Sequence, residues 1–127
     1  MIRTAGDKRD VERPEWKDGW ASARFREFGS FLLLVDEEAP VILPVGFREG
    51  SILSKASRIV FRVKDNLGAI RSCRAELDGN WLCFSNDKEL AYIYTFDEHC
   101  PPGKHSLKIT AEDEAGNRTT KEYHFTR

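Results

Sequence analysis

The densest set of metal-binding side-chain types in the sequence is Asp97-Glu98-His99-Cys100, with His105 close behind. Imidazole, thiolate and carboxylate are all zinc ligands. Their spacing matches no standard zinc module, and Pro101-Pro102-Gly103 places the group in a loop before a strand, so a solvated polar turn is expected and no metal site. Asp65 with Asn66, Asp78, and Asp113 with Glu114 and Asn117 offer hard oxygen ligands of the kind calcium takes. Asp and Asn also bond their own backbone in turns and tolerate left-handed geometry, and these residues are read as turn formers. Three aromatics complete the inventory. An aromatic plane on an outer sheet face stacks on a sugar ring, which makes Trp81, Tyr92 and Tyr94 the candidate ligand-binding residues. The competing role for Trp81 is to cover a neighbouring strand or the segment before residue 37.

No constellation for catalysis is legible. The sequence has no Gly-rich phosphate loop, no nucleophile elbow and no His-x-His pair among His99, His105 and His124. The paired carboxylates Glu37-Glu38 lie beside Pro40 in a linker, a poor setting for acid–base work. The chain is therefore expected to have no catalytic residues, no metal and no cofactor. Cys73, Cys83 and Cys100 cannot all pair within one chain, and small buried or half-exposed thiols are the expectation.

The elements that would position these residues are strands. Ile59, Phe61 and Val63 alternate with polar or outward residues, as do Leu107, Ile109 and Ala111, and Tyr123 and Phe125. No window sustains a helical stripe. Turn signals at 65–68, 78–80, 85–87, 101–103 and 114–117 divide the chain after Glu38 into seven candidate strands: Val41–Val45, Arg58–Val63, Ile70–Leu77, Asn80–Phe84, Glu89–Phe96, His105–Glu112 and Thr119–Thr126. Seven short strands in this length fit an all-β, immunoglobulin-like (fibronectin-III-like) sandwich. Asp78-Gly79 predicts a two-residue type I′ hairpin. Pairing Leu77 with Asn80 sets Ala75 opposite Leu82 and Cys73 opposite Phe84, with Trp81 on the polar face beside Glu76, Arg74 and Cys83.

Before Glu38 the pattern changes. Residues 1–20 are rich in charge with isolated Trp16 and Trp20, and read as a linker or incomplete element. Ala21–Phe25 and Phe31–Val35 are expected to form a hairpin across Glu27–Ser30, with Phe31–Val35 docking on the sandwich or on a second copy of the chain. Asp36–Pro40 reads as a hinge. The division is thus residues 1–36, a linker and C-terminal hairpin of a preceding β domain, and residues 37–127, the sandwich.

The 127 residues carry 20 Lys plus Arg against 21 Asp plus Glu, a net charge of −1 with both signs interspersed. That excludes nucleic acid or an anionic membrane surface as a partner held by bulk electrostatics. The longest apolar run, Phe31–Val35, is far short of the roughly 20 residues of a membrane helix, so no membrane insertion is expected and no signal peptide is seen.

The runs Trp20-Ala21-Ser22-Ala23-Arg24-Phe25-Arg26-Glu27-Phe28-Gly29-Ser30-Phe31 and Val35-Asp36-Glu37-Glu38-Ala39-Pro40-Val41-Ile42 are followed by Ile59–Asp65, Gly68–Ser72, Leu77–Trp81, Tyr94–Asp97, Gly103–His105 and Asp113–Asn117. In this order they resemble the C-terminal region of bacterial, notably Bacteroidetes, envelope proteins in which a lysostaphin-type zinc metallopeptidase domain precedes small β domains. The resemblance implies a non-catalytic accessory immunoglobulin-like module. It would position or space a peptidase domain at peptidoglycan, in the periplasm or at the cell surface, with the upstream domains of the same polypeptide as partners. The alternative is a carbohydrate-binding or adhesion module, for peptidoglycan or another glycan, on a surface protein without a peptidase. The family's catalytic residues match no position of this chain, and its three cysteines match no family pattern.

Overall fold

Alternating apolar and polar residues build the strands, and the computed structural model, which describes residues 1–67, 70–86 and 91–127, shows where each one goes. The first five are short: β1 (Ile2–Ala5), β2 (Lys8–Val11), β3 (Glu15–Lys17), β4 (Trp20–Ser22) and β5 (Ser30–Leu32). The remainder are β6 (Val41–Val45), β7 (Ser51–Ile52), β8 (Arg58–Lys64), β9 (Ile70–Leu77), β10 (Asn80–Leu82), β11 (Ser85–Asn86), β12 (Ala91–Thr95), β13 (Lys104–Asp113) and β14 (Arg118–Thr126). The described residues contain no helix. Gly68 of the first predicted turn, Asp87 of the third, and Glu89 and Leu90 at the start of the fifth predicted strand lie outside the described residues.

From β6 onward two sheets form, ordered β6-β8-β12-β11 and β10-β9-β13-β14-β7. In chain order these are the A-B-E-D and C′-C-F-G sets of an immunoglobulin-like sandwich, and β7 adds to the last strand in parallel. All seven predicted strands are present, with the two-residue strands β7 and β11 in addition. The inward face of β8 contributes Ile59, Phe61 and Val63, and that of β13 contributes Leu107, Ile109 and Ala111; none is more than 1% exposed. Ala75, Leu77, Leu82, Tyr94 and Phe125 join this core, as do Ile42, Phe47, Leu53 and Cys100.

The predicted hairpin forms as expected. Asp78 and Gly79 both have positive φ (51° and 83°), the type I′ signature, and Leu77 opposes Asn80, Trp81 opposes Glu76 and Leu82 opposes Ala75. The ladder stops there, so the expected pairing of Cys73 with Phe84 is not made. Cys73 faces Ala111 of β13 instead, while the chain crosses between sheets and pairs Ser85 with Ile93 and Asn86 with Tyr92. A strand at a sandwich edge that changes sheet cannot keep its first partner, and the register is lost at the crossing.

The segment before Glu38 departs further from expectation. Met1 to Trp20 is not a linker: β1 and β2 form a hairpin, and β3 and β4 form a second one across Asp18 (φ 51°) and Gly19 (φ 81°). Ala21–Phe25 does not pair with Phe31–Val35. β5 pairs with β1 instead, Ile2 with Leu32, Arg3 with Phe31 and Thr4 with Ser30. The reason is electrostatic. Arg3 is 2% exposed, and its guanidinium bonds Asp10 on β2 (Nε to Oδ2 2.8 Å), the Phe28 carbonyl (2.9 Å) and Glu27 (3.3 Å), so one buried cation draws β2 and the approach to β5 onto β1. Gly29 permits the close passage, since a Cβ there would stand 2.5 Å from the Thr4 carbonyl oxygen. Phe31 to Val35 remain 44–85% exposed rather than docked on the sandwich.

Leu107→Ala should cost about 2–5 kcal/mol of folding free energy, because a fully enclosed side chain leaves a cavity between the sheets. A fall in urea midpoint with unchanged m-value is the expected result, and a loss below about 1 kcal/mol would remove Leu107 from the core.

Candidate functional site

The sheet crossing after Leu82 leaves one edge of the sandwich open. A cleft of about 400 Å³ lies there, bordered by Arg71, Trp81, Cys83, Phe84, Asn86 and Tyr92. Trp81 projects from β10 and is 64% exposed. Tyr92, on β12, stacks flat on its cross-strand partner Phe61 (centroids 5.1 Å, 5° between planes), and Phe84 meets the same Phe61 ring edge-on at 5.0 Å. The floor is thus a fixed aromatic stack and the rim a free indole. Arg71, half exposed and 3.6 Å from Glu112, and the Asn86 amide supply hydrogen-bonding groups beside them. A free aromatic plane with nearby polar donors suits a ligand that is apolar on one face and hydroxylated at its edge.

Of the three aromatics singled out from sequence, Trp81 and Tyr92 come together here and Tyr94 does not. Tyr94 is 4% exposed, lies in the core against Phe84 and Phe96, and donates its hydroxyl to Asp97. Burial and that carboxylate hold its phenol well above the ordinary range. Burial likewise pushes the Cys73 thiol up to about 11, against a lowering hydrogen bond with Tyr92, so this thiol is neutral at physiological pH and a poor nucleophile. Cys73, Cys83 and Cys100 are all free. Arg71, Phe84 and Asn86 carry no signal in the sequence that sets them apart as cleft residues: Arg71 and Phe84 alternate within predicted strands, and Asn86 falls in the turn signal at 85–87.

The group Asp97-Glu98-His99-Cys100-His105 does not converge. His99 is exposed beside Asp97 (3.2 Å), and Asp97 Oδ1 also accepts from the His99 amide at 3.0 Å, as a turn-forming carboxylate does. His124 pairs with Glu49 at 2.8 Å. His105 points the other way, into the sandwich. It is 8% exposed, with Nδ1 2.6 Å from Asp78 Oδ2 and Nε2 2.5 Å from the Pro101 carbonyl. Asp78 Oδ1 also accepts from the Ser106 amide at 2.8 Å, so the hairpin turn is pinned to the start of β13. Of the remaining turn candidates, Asp65 Oδ2 accepts from the Leu67 amide (2.9 Å) and Asp113 from the Asn117 amide (2.9 Å), closing their own loops.

No protein-family model matches the chain, and no curated protein matches it. Solved structures do share its fold. An endo-beta-1,4-mannanase from Thermotoga petrophila matches over 72% of this chain and 20% of its own, at 12% identity and a TM-score of 0.58. SGBP-B of the Bacteroides ovatus mixed-linkage glucan utilization locus, in complex with a mixed-linkage heptasaccharide, matches over 71% of this chain and 24% of its own, at 19% identity and 0.51. The SrpA adhesin of Streptococcus sanguinis, a mutant form, matches over 72% and 58%, at 16% identity and 0.51. The chain therefore spans only about a fifth to just over half of the proteins it resembles. At these identities the likeness establishes the fold, an immunoglobulin-like β-sandwich.

Both ring nitrogens of His105 face acceptors, an arrangement the imidazolium satisfies and the neutral ring does not. Burial alone would lower its pKa, but the Asp78 and Pro101 hydrogen bonds outweigh burial and raise it above the ordinary value of 6.5. A raised folded-state pKa gives stability that is complete below 6.5 and lost as pH rises through the folded value. Asp78 moves the other way: burial would raise it, but His105 and the Ser106 amide hold it below 3.8, so its contribution is lost only in acid, as pH falls through the folded value. The melting temperature should fall from pH 6 to pH 8, and His105→Gln should flatten that slope. An unchanged slope in the variant would assign the pH dependence elsewhere.

Proposed function

We propose that the chain is a non-catalytic immunoglobulin-like accessory module of a bacterial cell-envelope protein, and that it holds its parent at a glycan through the cleft beside Trp81. The observation that carries this is the indole, 64% exposed at the rim of an aromatic-floored cleft that also presents Arg71, Ser72 and Asn86. Trp16 and Trp20 are as exposed, but of the three only Trp81 stands at the rim of an aromatic-floored cleft, where stacking on a sugar ring recovers the apolar area. SGBP-B, which has the same sandwich, was solved with an oligosaccharide bound.

The order of motifs from Trp20 to Asn117 supports a lysostaphin-type zinc peptidase as the parent, with peptidoglycan as the glycan and the periplasm or cell surface as the setting. On this proposal residues 1–36 end a preceding β domain, residues 37–127 are the module, and the upstream domains are its intramolecular partners. The exposed run Phe31–Val35 supports such a neighbour, since an apolar stretch of that length is costly in water. The second reading, an adhesion or carbohydrate-binding module on a surface protein without a peptidase, is favoured by the cleft itself, which is complete within residues 61–92 and needs no upstream domain.

The test is retention of the purified chain on insoluble peptidoglycan across low and high salt. Wild type should be retained at both, because stacking is not screened, and Trp81→Ala should bind about tenfold more weakly, the equivalent of about 1.4 kcal/mol, with a melting temperature within about 2 °C of wild type. Failure of wild type to bind would overturn the glycan reading and leave a spacer.

A further inference from the structure

We propose that Asp36, Asp65 and Asp113 form a binding site for a hard divalent cation, calcium by its chemistry, which ties the linker to the loop end of the sandwich. The proposal is independent of the glycan reading. The three carboxylates come from three separate places: the linker before β6, the residue after β8 and the last residue of β13. One oxygen from each lies within 4.8 Å of the other two. Oxygens 2.3–2.6 Å from a common calcium ion stand up to about 5 Å apart, so the spacing suits a shared ion.

Charge is the second observation. Asp113 is 1% exposed, carried inward by the same alternation that buries Leu107, Ile109 and Ala111. Its carboxylate receives only neutral donors, the Asn117 amide and side-chain Nδ2, both at 2.9 Å. Among the described residues no salt bridge reaches Asp36, Asp65 or Asp113. Three carboxylates this close, one of them enclosed, repel one another strongly unless a cation is shared.

The third observation is a single atom. Asp65 Oδ1 is sealed from solvent and is the one buried side-chain oxygen or nitrogen among the described residues with no hydrogen-bond partner. Its sister oxygen is already used by the Leu67 amide. Buried polar atoms are almost always satisfied, and a cation would serve this one while neutralising its neighbours. Asp36 Oδ1 is held in place by the Asn66 side chain and the Glu38 amide, each at 3.1 Å, and Asn117 Nδ2 reaches the Asp36 carbonyl at 3.0 Å. A cavity of about 60 Å³ borders Asp36 and Asp65, with Glu12, Arg13 and Glu114 also in its wall, and has room for water beside these two carboxylates. An all-oxygen donor set selects a hard cation over zinc, and three carboxylates from separate places in the chain suit calcium, with its flexible shell, better than magnesium, which demands a near-ideal octahedron.

Calorimetric titration of the chain, stripped with chelator, with CaCl₂ tests this, with thermal melts alongside. Wild type should bind one equivalent of calcium and melt about 5 °C or more higher in millimolar calcium than in chelator, and MgCl₂ should give a clearly smaller shift. Asp36→Asn and Asp65→Asn, which keep size and hydrogen-bonding shape, should each weaken calcium binding at least about tenfold while melting in chelator at or above the wild-type temperature, since each removes a repelling charge. Absence of calcium heat and of any shift in wild type would overturn the site. Equal calcium affinity in both variants, or an equal response to magnesium, would also overturn it.

Discussion

The inward face of β13 reads His105, Leu107, Ile109, Ala111, Asp113, and the rest of the sandwich is arranged around that row. Its middle is fully enclosed: β9 and β14 pair along its two edges, while β8 packs Ile59, Phe61 and Val63 from the opposite sheet. Strict alternation has a consequence at the ends, where the same face carries a titratable group inward at each terminus. Neither can be left unpaired at low dielectric. At one end His105 recruits Asp78 and the Pro101 carbonyl, which joins the β9–β10 hairpin turn to the loop before β13. At the other, Asp113 recruits Asn117, which closes the β13–β14 turn and reaches back to the linker. One apolar strand with polar ends thereby organises both loop clusters.

How much of this the sequence revealed follows the range of the interactions. The seven main strands were legible because a half-buried strand repeats every two residues, and Asp78-Gly79 was legible because a type I′ turn needs positive φ at adjacent positions. The same dipeptide at Asp18-Gly19 marks the β3–β4 turn, but the charged residues around it masked a hairpin whose two tryptophans face solvent. The register failed where the chain changed sheet, since Cys83-Phe84 alternates as well as any strand and nothing local announces the crossing. Trp81 and Tyr92 were legible as types, whereas their meeting at one cleft depends on strands from opposite sheets that separate at that edge.

The first 35 residues were least legible because a cation, and not an apolar row, holds them. Arg3 sits seven residues from Asp10 and twenty-four from Glu27, and no period connects them. Strands of three or four residues bury little, with Ile2 the one apolar side chain fully enclosed there. Three such strands are marginal alone. The ion network fixes pairing direction and register in a sheet that hydrophobic burial specifies weakly, while its surface keeps Phe28, Phe31 and Val35 half or more exposed.

The crossing at Cys83-Phe84 also explains why the aromatic cleft lies at the sandwich edge rather than on a sheet face. On a face, alternation sends every second side chain to water, and the outward residues of β13, Lys108, Thr110 and Glu112, are polar. At the edge, β10 ends after three residues and β11 runs for only two, so the Tyr92 ring of β12 and the Phe84 ring are reached from outside. Phe61 remains fully buried because Tyr92 and Phe84 cover it, and these covering rings meet the solvent in its place. A site made this way inherits rigidity from the core. Its floor cannot move without opening the stack on Phe61, whereas Trp81 at the rim stands exposed to solvent. The cleft thereby joins a floor fixed by the core to an indole exposed at its rim.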